Sequence, residues 1–249
     1  MEKEKIKDIV KKGYASIASD DCGCGCCSCS KKEIDNQIAK QIGYSDQELS
    51  IAPDANMGLG CGNPIALGRI KPGEIVIDLG SGAGFDCFLA SKKVGERGKV
   101  IGIDMTKEMI KKAKKNAKKY KFSNVKFKLG EIENLPINDN YADVVISNCV
   151  INLSSDKLRV YKEAYRILKK NGKMYVSDIV LLKNLTDEQR KNPDLICSCV
   201  GGGALLRDDY LNIIKKAGFK INIIDEDKKI SKSQYQGIPL ESLKLELTK

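Results

Sequence analysis

The chain reads as an α/β protein: a doubly wound parallel sheet, closed by an antiparallel hairpin and preceded by a helical, cysteine-rich arm. Three observations lead there. Between Ile75 and Val180, short apolar runs alternate with helical stretches, as in strand–helix–strand units. The first run ends in a glycine turn, Gly80-Ser-Gly-Ala-Gly84, that leads straight into a helix. Near the C-terminus, Phe219 to Ile224 and Leu243 to Leu247 read as two strands able to pair antiparallel. A boundary is expected before Gly58. Residues 1–57 then form the arm, and 58–249 the sheet domain, with a small insertion at about 183–206.

Residues 2–18 place Ile6, Ile9, Val10 and Tyr14 on one side of a helix. Asp20 to Ser30 holds Cys22, Cys24, Cys26, Cys27 and Cys29, and the glycines and serines between them predict a flexible segment. Lys32 to Ile42 is a second helix. Pro53, Asp54 and Asn56 mark a link into Gly58-Leu-Gly-Cys-Gly-Asn-Pro64. There Asn63 and Pro64 make an N-cap and first-turn pair for a helix ending near Arg69. Cys61 thus precedes a helix N-terminus, a position that favours thiolate.

Ile75 to Leu79 is the first strand, apolar except for Asp78, and Phe85 to Lys93 is the helix after the glycine turn. Val100 to Asp104 is the second strand. Lys107 to Tyr120 is a helix with Ile110, Ala113, Ala117 and Tyr120 on one stripe. Asn124 to Leu129 and Ala142 to Ser147 are the third and fourth strands, the latter running into Asn148-Cys149. Asp156 to Lys169 is helical and stops at Gly172, and Lys173 to Val180 is the fifth strand. Leu185 to Gly203 is irregular and carries Cys197 and Cys199; Arg207 to Ala217 is helical. Ligands of such sheets bind outside the carboxyl ends of the strands, which puts Cys149 at the active edge.

Composition narrows the function. No apolar run approaches the length of a membrane span. The charged start Met1-Glu-Lys-Glu-Lys lacks the apolar core of a secretory signal, so a cytoplasmic location is expected. Ten cysteines in a reducing compartment favour metal binding or thiol chemistry over disulfide scaffolding. There is no histidine, which removes the commonest general base and zinc nitrogen ligand. The formal charge of +10 is concentrated: Lys92 to Lys128 holds fourteen Lys/Arg against three Asp/Glu. Those lysines fill the polar faces of an amphipathic helix without interleaved aromatic rings, so nucleic acid is not expected as a partner.

The site residues follow from placement. Gly80, Ser81, Gly82 and Gly84 let a ligand lie against backbone at a helix N-terminus. Asp104, ending the second strand, suits ribose hydroxyls. The spacing is G-x-G-x-G, with Asp78 two places before the first glycine, unlike the G-x-G-x-x-G of dinucleotide folds. It resembles the first motif of S-adenosylmethionine-dependent methyltransferases, whose cofactor has no pyrophosphate; the resemblance implies that Asp78 meets the cofactor's ammonium group. Cys61, Cys149 and Cys199 each lie in a loop or at a strand end, and three soft thiolates select a thiophilic atom. Two plainer readings stand beside this one: buried cysteines acting as small hydrophobes, and a structural zinc site.

Gly58-Leu-Gly-Cys-Gly-Asn-Pro64, Ile77-Asp-Leu-Gly-Ser-Gly-Ala-Gly84, Gly102-Ile-Asp-Met-Thr106, Ser147-Asn-Cys-Val-Ile-Asn-Leu153 and Cys199-Val-Gly-Gly-Gly-Ala204 together resemble arsenite methyltransferases. The resemblance implies a Rossmann-like class I methyltransferase sheet, S-adenosyl-L-methionine as cofactor and trivalent arsenic as acceptor. It implies that Cys149 and Cys199 hold the arsenic. Cys61, with a cysteine of the arm, would bind arsenic early or cycle through a disulfide. Gly80, Gly82, Gly84, Asp104, Met105, Ile132, Glu133 and Asn148 would line the cofactor site. Thiolate-bound arsenic keeps a lone pair and carries no proton, so it could attack the methyl group without a general base. The implied partners are arsenite or its thiol conjugates, methylarsenite, and a reductant such as thioredoxin or glutathione, with the protein a monomer. Larger relatives carry a further C-terminal domain, and the expectation is that this chain ends with the methyltransferase sheet. Two competing functions remain: methylation of another small molecule, and a non-enzymatic thiol-rich metal-binding or redox protein.

Overall fold

A computed structural model describes residues 3–19, 27–192, 195, 199–200, 203–228 and 237–249. The arm supplies α1 (Lys3–Ser19), α2 (Cys27–Gln41) and α3 (Asp46–Ile51), followed by the short α4 (Pro64–Leu67). The sheet domain then runs β1 (Ile75–Leu79), α5 (Phe85–Val94), β2 (Lys99–Asp104), α6 (Lys107–Lys119), β3 (Val125–Leu129), β4 (Ala142–Asn148), α7 (Lys157–Ile167) and β5 (Leu168–Leu181). It ends with α8 (Asp187–Lys191), α9 (Arg207–Lys216), β6 (Lys220–Asp227) and β7 (Leu240–Thr248).

These strands form one seven-stranded sheet in the order β3-β2-β1-β4-β5-β7-β6. The first five are parallel, and β7 runs antiparallel between β5 and β6. The chain winds outward from β1 to β3, then returns to place β4 on the other side of β1. That reversal opens a crevice at the carboxyl ends of β1 and β4. Both faces of the sheet are covered, which is why β1 and β4 read as almost continuous apolar runs. Ile77 and Leu79 pack with Tyr161 of α7 and Ile214 of α9, while Val76 and Val100 pack with Phe88 of α5 and Ile110 of α6.

Several boundaries differ from the sequence reading. α2 begins at Cys27 rather than Lys32, so Cys27 and Cys29 fall on helical backbone. α7 stops at Ile167, and β5 starts at Leu168, five residues before the expected Lys173. The cause is tertiary: Leu168 already pairs with Ala142 of β4. The exposed lysines of α6 face outward, and its buried side carries Met109, Ile110, Ala113 and Asn116. α1 packs on α6. Its Val10 is buried, and Lys112 of α6 donates to the carbonyl of Ala18. Asp54, between α3 and α4, binds Lys32, Lys119 and Tyr120, which joins α2 to α6.

Candidate active site

A cleft opens over the ends of β1, β2 and β4. Asp78, Gly80, Ser81, Gly82, Asp104, Met105, Ile132, Glu133 and Asn148 all lie on its wall, together with Cys149. Gly84 does not. A Cβ there would meet Phe127 at 2.6 Å and Phe88 at 3.0 Å, so Gly84, between the wall residues Ala83 and Phe85, lets α5 seat closely on the sheet. Gly80 has φ +69°, and a Cβ would strike Val150 at 2.3 Å. Gly82 differs: at φ +51°, its Cβ would meet no protein atom within 4 Å and would project into the cleft instead.

The walls suit a ligand that carries both hydroxyl and cationic groups. The hydroxyls of Ser81 and Thr106 are buried on the wall without a protein partner. Asp104 accepts from the amides of Gly82 at 3.0 Å and Thr106 at 2.8 Å, which aims its carboxylate across the glycine turn. Asp78 is buried at the base of the turn, and burial, with Asp86 nearby, pushes its carboxyl well above the usual range. Cys87 donates its thiol to Asp78 at 3.1 Å, so this cysteine belongs to the core of α5. A glycine cradle, unpartnered hydroxyls and two acidic groups fit S-adenosylmethionine.

Asn148 connects this cleft to the thiols. Its Oδ1 accepts from the Cys61 amide at 3.1 Å, and its Nδ2 donates to the Gly62 carbonyl at 2.9 Å. The same Nδ2 reaches Tyr44 and Asp86, and Tyr44 donates to Asp86 at 2.6 Å. Burial raises the Asp86 carboxyl to about 6, with the Tyr44 and Asn148 donors acting in the opposite direction. Sequence reasoning missed Tyr44 and Asp86. The signal available was Asp86 at the second position of α5, one turn from the glycine loop.

Cys61, Cys149 and Cys199 come from three separate loops and share one buried cluster with Ile179, Leu181 and Leu240. Their exposures are 1%, 4% and 3%. The Cys61 thiol donates to the Ser177 carbonyl at 3.3 Å, and the Cys199 thiol to the Cys149 carbonyl at 2.7 Å. Cys149 lies between the other two thiols closely enough that both perturb its own thiol. Cys149 has φ +57° and Cys199 φ +69°. Residues with a Cβ avoid this left-handed region by about 1–2 kcal/mol, and such strain concentrates at functional sites.

Burial corrects the expectation for Cys61. Desolvation raises its thiol above the ordinary value, and Cys149 and Cys199 are raised as well. The helix after Cys61 is only four residues long, too short to offset the apolar surroundings. Cys22, Cys24, Cys26 and Cys197 lie outside the described residues, as does any pairing of Cys61 with a thiol of that segment.

Three further residues adjoin the thiols. Tyr14 of α1 places its hydroxyl 4.0 Å from the Cys199 sulfur. Asp178 of β5 is fully buried and accepts from Tyr210 at 2.5 Å. Lys157 donates to the carbonyls of Asn152 and Ser154, and burial lowers its ammonium to about 8. Asp178 had a legible signal, an acid inside the apolar run of the fifth strand, like Asp78 in the first.

A family model described as a methyltransferase domain matches residues 70–218. The arsenite methyltransferase of Halobacterium salinarum is 43% identical over 239 residues, covering 90% of this chain and 60% of its own length. The human arsenite methyltransferase is 44% identical over 153 residues, which is 58% of this chain and 40% of that protein. The chain therefore spans at most about three fifths of these two relatives. The crystal structure of an arsenic(III) S-adenosylmethionine methyltransferase from Chlamydomonas reinhardtii superposes with a TM-score of 0.68 at 34% identity, covering 85% of this chain and 72% of that one.

Proposed function

The chain belongs to the arsenite methyltransferase family, and from that premise we propose that it transfers methyl groups from S-adenosylmethionine to trivalent arsenic held by its thiols. The observation that carries the reading is the meeting of Cys61, Cys149 and Cys199 in one buried cluster, with Cys149 also on the cleft wall. Asp78, Gly80, Ser81, Gly82, Asp104, Met105, Ile132, Glu133 and Asn148 hold the cofactor, which supplies an electrophilic methyl group when bound. Gly82 gives backbone contact, Asp104 receives hydroxyls, and Asp78 faces the cationic end.

Cys149 and Cys199 hold the arsenic, with Cys61 as the early or third ligand. Raised thiol pKa values are no obstacle to loading. Each arsenic–hydroxyl bond of arsenite is exchanged for an arsenic–sulfur bond, and the thiol proton leaves with the hydroxyl as water. The bound arsenic keeps its lone pair and has no proton to lose, which fits a site without histidine. Catalysis then rests on positioning. After transfer the arsenic is formally pentavalent. Two thiols return it to the trivalent state by giving up two electrons and closing a disulfide. An external thiol, such as thioredoxin or glutathione, reopens that disulfide.

In this reading residues 58–249 carry out transfer, and the insertion at about 183–206 supplies Cys199. Residues 1–57 cover the cleft through α1 and supply further thiols. The protein works as a cytoplasmic monomer on arsenite, its thiol conjugates and methylarsenite. The test is incubation with arsenite, a thiol reductant and methyl-labelled cofactor. Labelled methylarsenic species are expected, and a yield no higher than the protein-free blank would overturn the assignment.

A further inference from the structure

Asp178 stands beside the thiols with donor capacity that the arsenic chemistry does not use. It is fully buried in β5. Its Oδ2 accepts from the Tyr210 hydroxyl, which in turn accepts from the Tyr161 hydroxyl at 2.7 Å. Its Oδ1 has no hydrogen-bond partner. The Sγ atoms of Cys61 and Cys149 and a carboxylate oxygen of Asp178 all lie within 4.8 Å of one another. A tetrahedral ion with bonds of about 2.3 Å to sulfur and about 2.0–2.2 Å to oxygen holds its ligands roughly 3.5–3.8 Å apart. Side-chain rotation of about an ångström closes that difference.

We propose that Cys61, Cys149 and Asp178 form a second, mixed sulfur–oxygen site for a thiophilic divalent cation such as zinc or cadmium, which competes with arsenic for two of its thiols. The inference rests on the arsenic reading only for the competition; the site itself stands on the placement of the three donors. Two thiolates and a carboxylate supply what a borderline or soft divalent ion takes. Loading releases the two thiol protons, and the Asp178 proton wherever the carboxyl still carries one, to solvent, and involves no change of oxidation state. The fourth position is left to water or a small anion, as in an open site. Charge separates the two occupants. Arsenic bonded to three thiolates is neutral and gains nothing from a carboxylate. A dication on two thiolates and a carboxylate carries one negative charge, and the buried ammonium of Lys157 lies close enough to Asp178 to feel its charge.

The test uses the full chain with its five N-terminal cysteines replaced by serine, reduced and titrated with cadmium alone. Cadmium NMR, whose shift reports sulfur against oxygen ligation, is expected to show a mixed sulfur–oxygen signal. Asp178→Asn should weaken cadmium binding by about tenfold or more, since even outer-shell changes at metal sites cost about 10–100-fold. The same variant should bind arsenite as tightly as the parent by equilibrium dialysis. Tyr210→Phe, which keeps the carboxylate, should keep the signal and controls for loss of fold. An all-sulfur shift, or cadmium affinity unchanged in Asp178→Asn, overturns the proposal. A parent that binds cadmium through Asp178 but takes no arsenite overturns the arsenic reading and leaves this site standing.

Discussion

Cys149 and Cys199 hold left-handed backbone that a glycine would adopt more easily, and both keep a thiol there. If those thiols carry the arsenic, Cys149→Ser and Cys199→Ser should each reduce methylated arsenic to background. Cofactor binding, followed by calorimetry, should be unchanged; a serine variant that still turns over would remove that thiol from the mechanism. Asp178 gives a separate, pH-dependent expectation. Burial raises its carboxyl from 3.8 to about 7, against donation from Tyr210 and the charge of Lys157. As pH rises, the unfolded chain loses this proton first, so stability present below about pH 4 is lost progressively up to about pH 7. The full effect, about three pK units, is of order 4 kcal/mol. Asp178→Asn should therefore unfold at higher urea than the parent at about pH 8, and the difference should shrink toward about pH 5. A variant less stable than the parent at both values would contradict the burial argument.

The glycine turn between β1 and α5 shows two glycines with different duties. Gly80→Ala forces a Cβ into Val150 and strains a positive φ. Overpacking and left-handed strain together should lower stability by about 2–4 kcal/mol. Gly82→Ala meets no protein atom, so it should cost only about 1–2 kcal/mol in stability while sharply weakening cofactor affinity. Melting curves and cofactor titration on the two variants separate these roles. Equal loss of affinity at equal stability would show that the turn acts as a unit. The turn, the strand before it and Asp104 were legible because glycine spacing and apolar runs are local patterns. The start of β5 at Leu168 was not, because pairing with Ala142 is a long-range contact that overrides the local helical pattern.

Across the whole molecule, the cleft and the thiol cluster meet at one sheet edge, joined by Asn148 between the Cys61 loop and the Asp86–Tyr44 pair. A ligand at 100 times its Kd stabilises by about 2.7 kcal/mol, which for a chain of this size raises Tm by roughly 5–10 °C. S-adenosylhomocysteine should produce a shift of that order in the parent and little in Asp104→Ala; equal shifts in both would remove Asp104 from the cofactor site. The sequence alone determined the parallel sheet, its closing hairpin, the glycine cradle and the three cysteines of interest, because strand periodicity, turn chemistry and motif spacing are written along the chain. Only the tertiary structure decided that Cys61 is a buried thiol and that Gly84 lies against Phe88 and Phe127. It also brought Tyr44, Asp86 and Asp178 together around Asn148 and the thiols. Burial and proximity depend on which elements stack and cross, and no stretch of residues carries that information by itself.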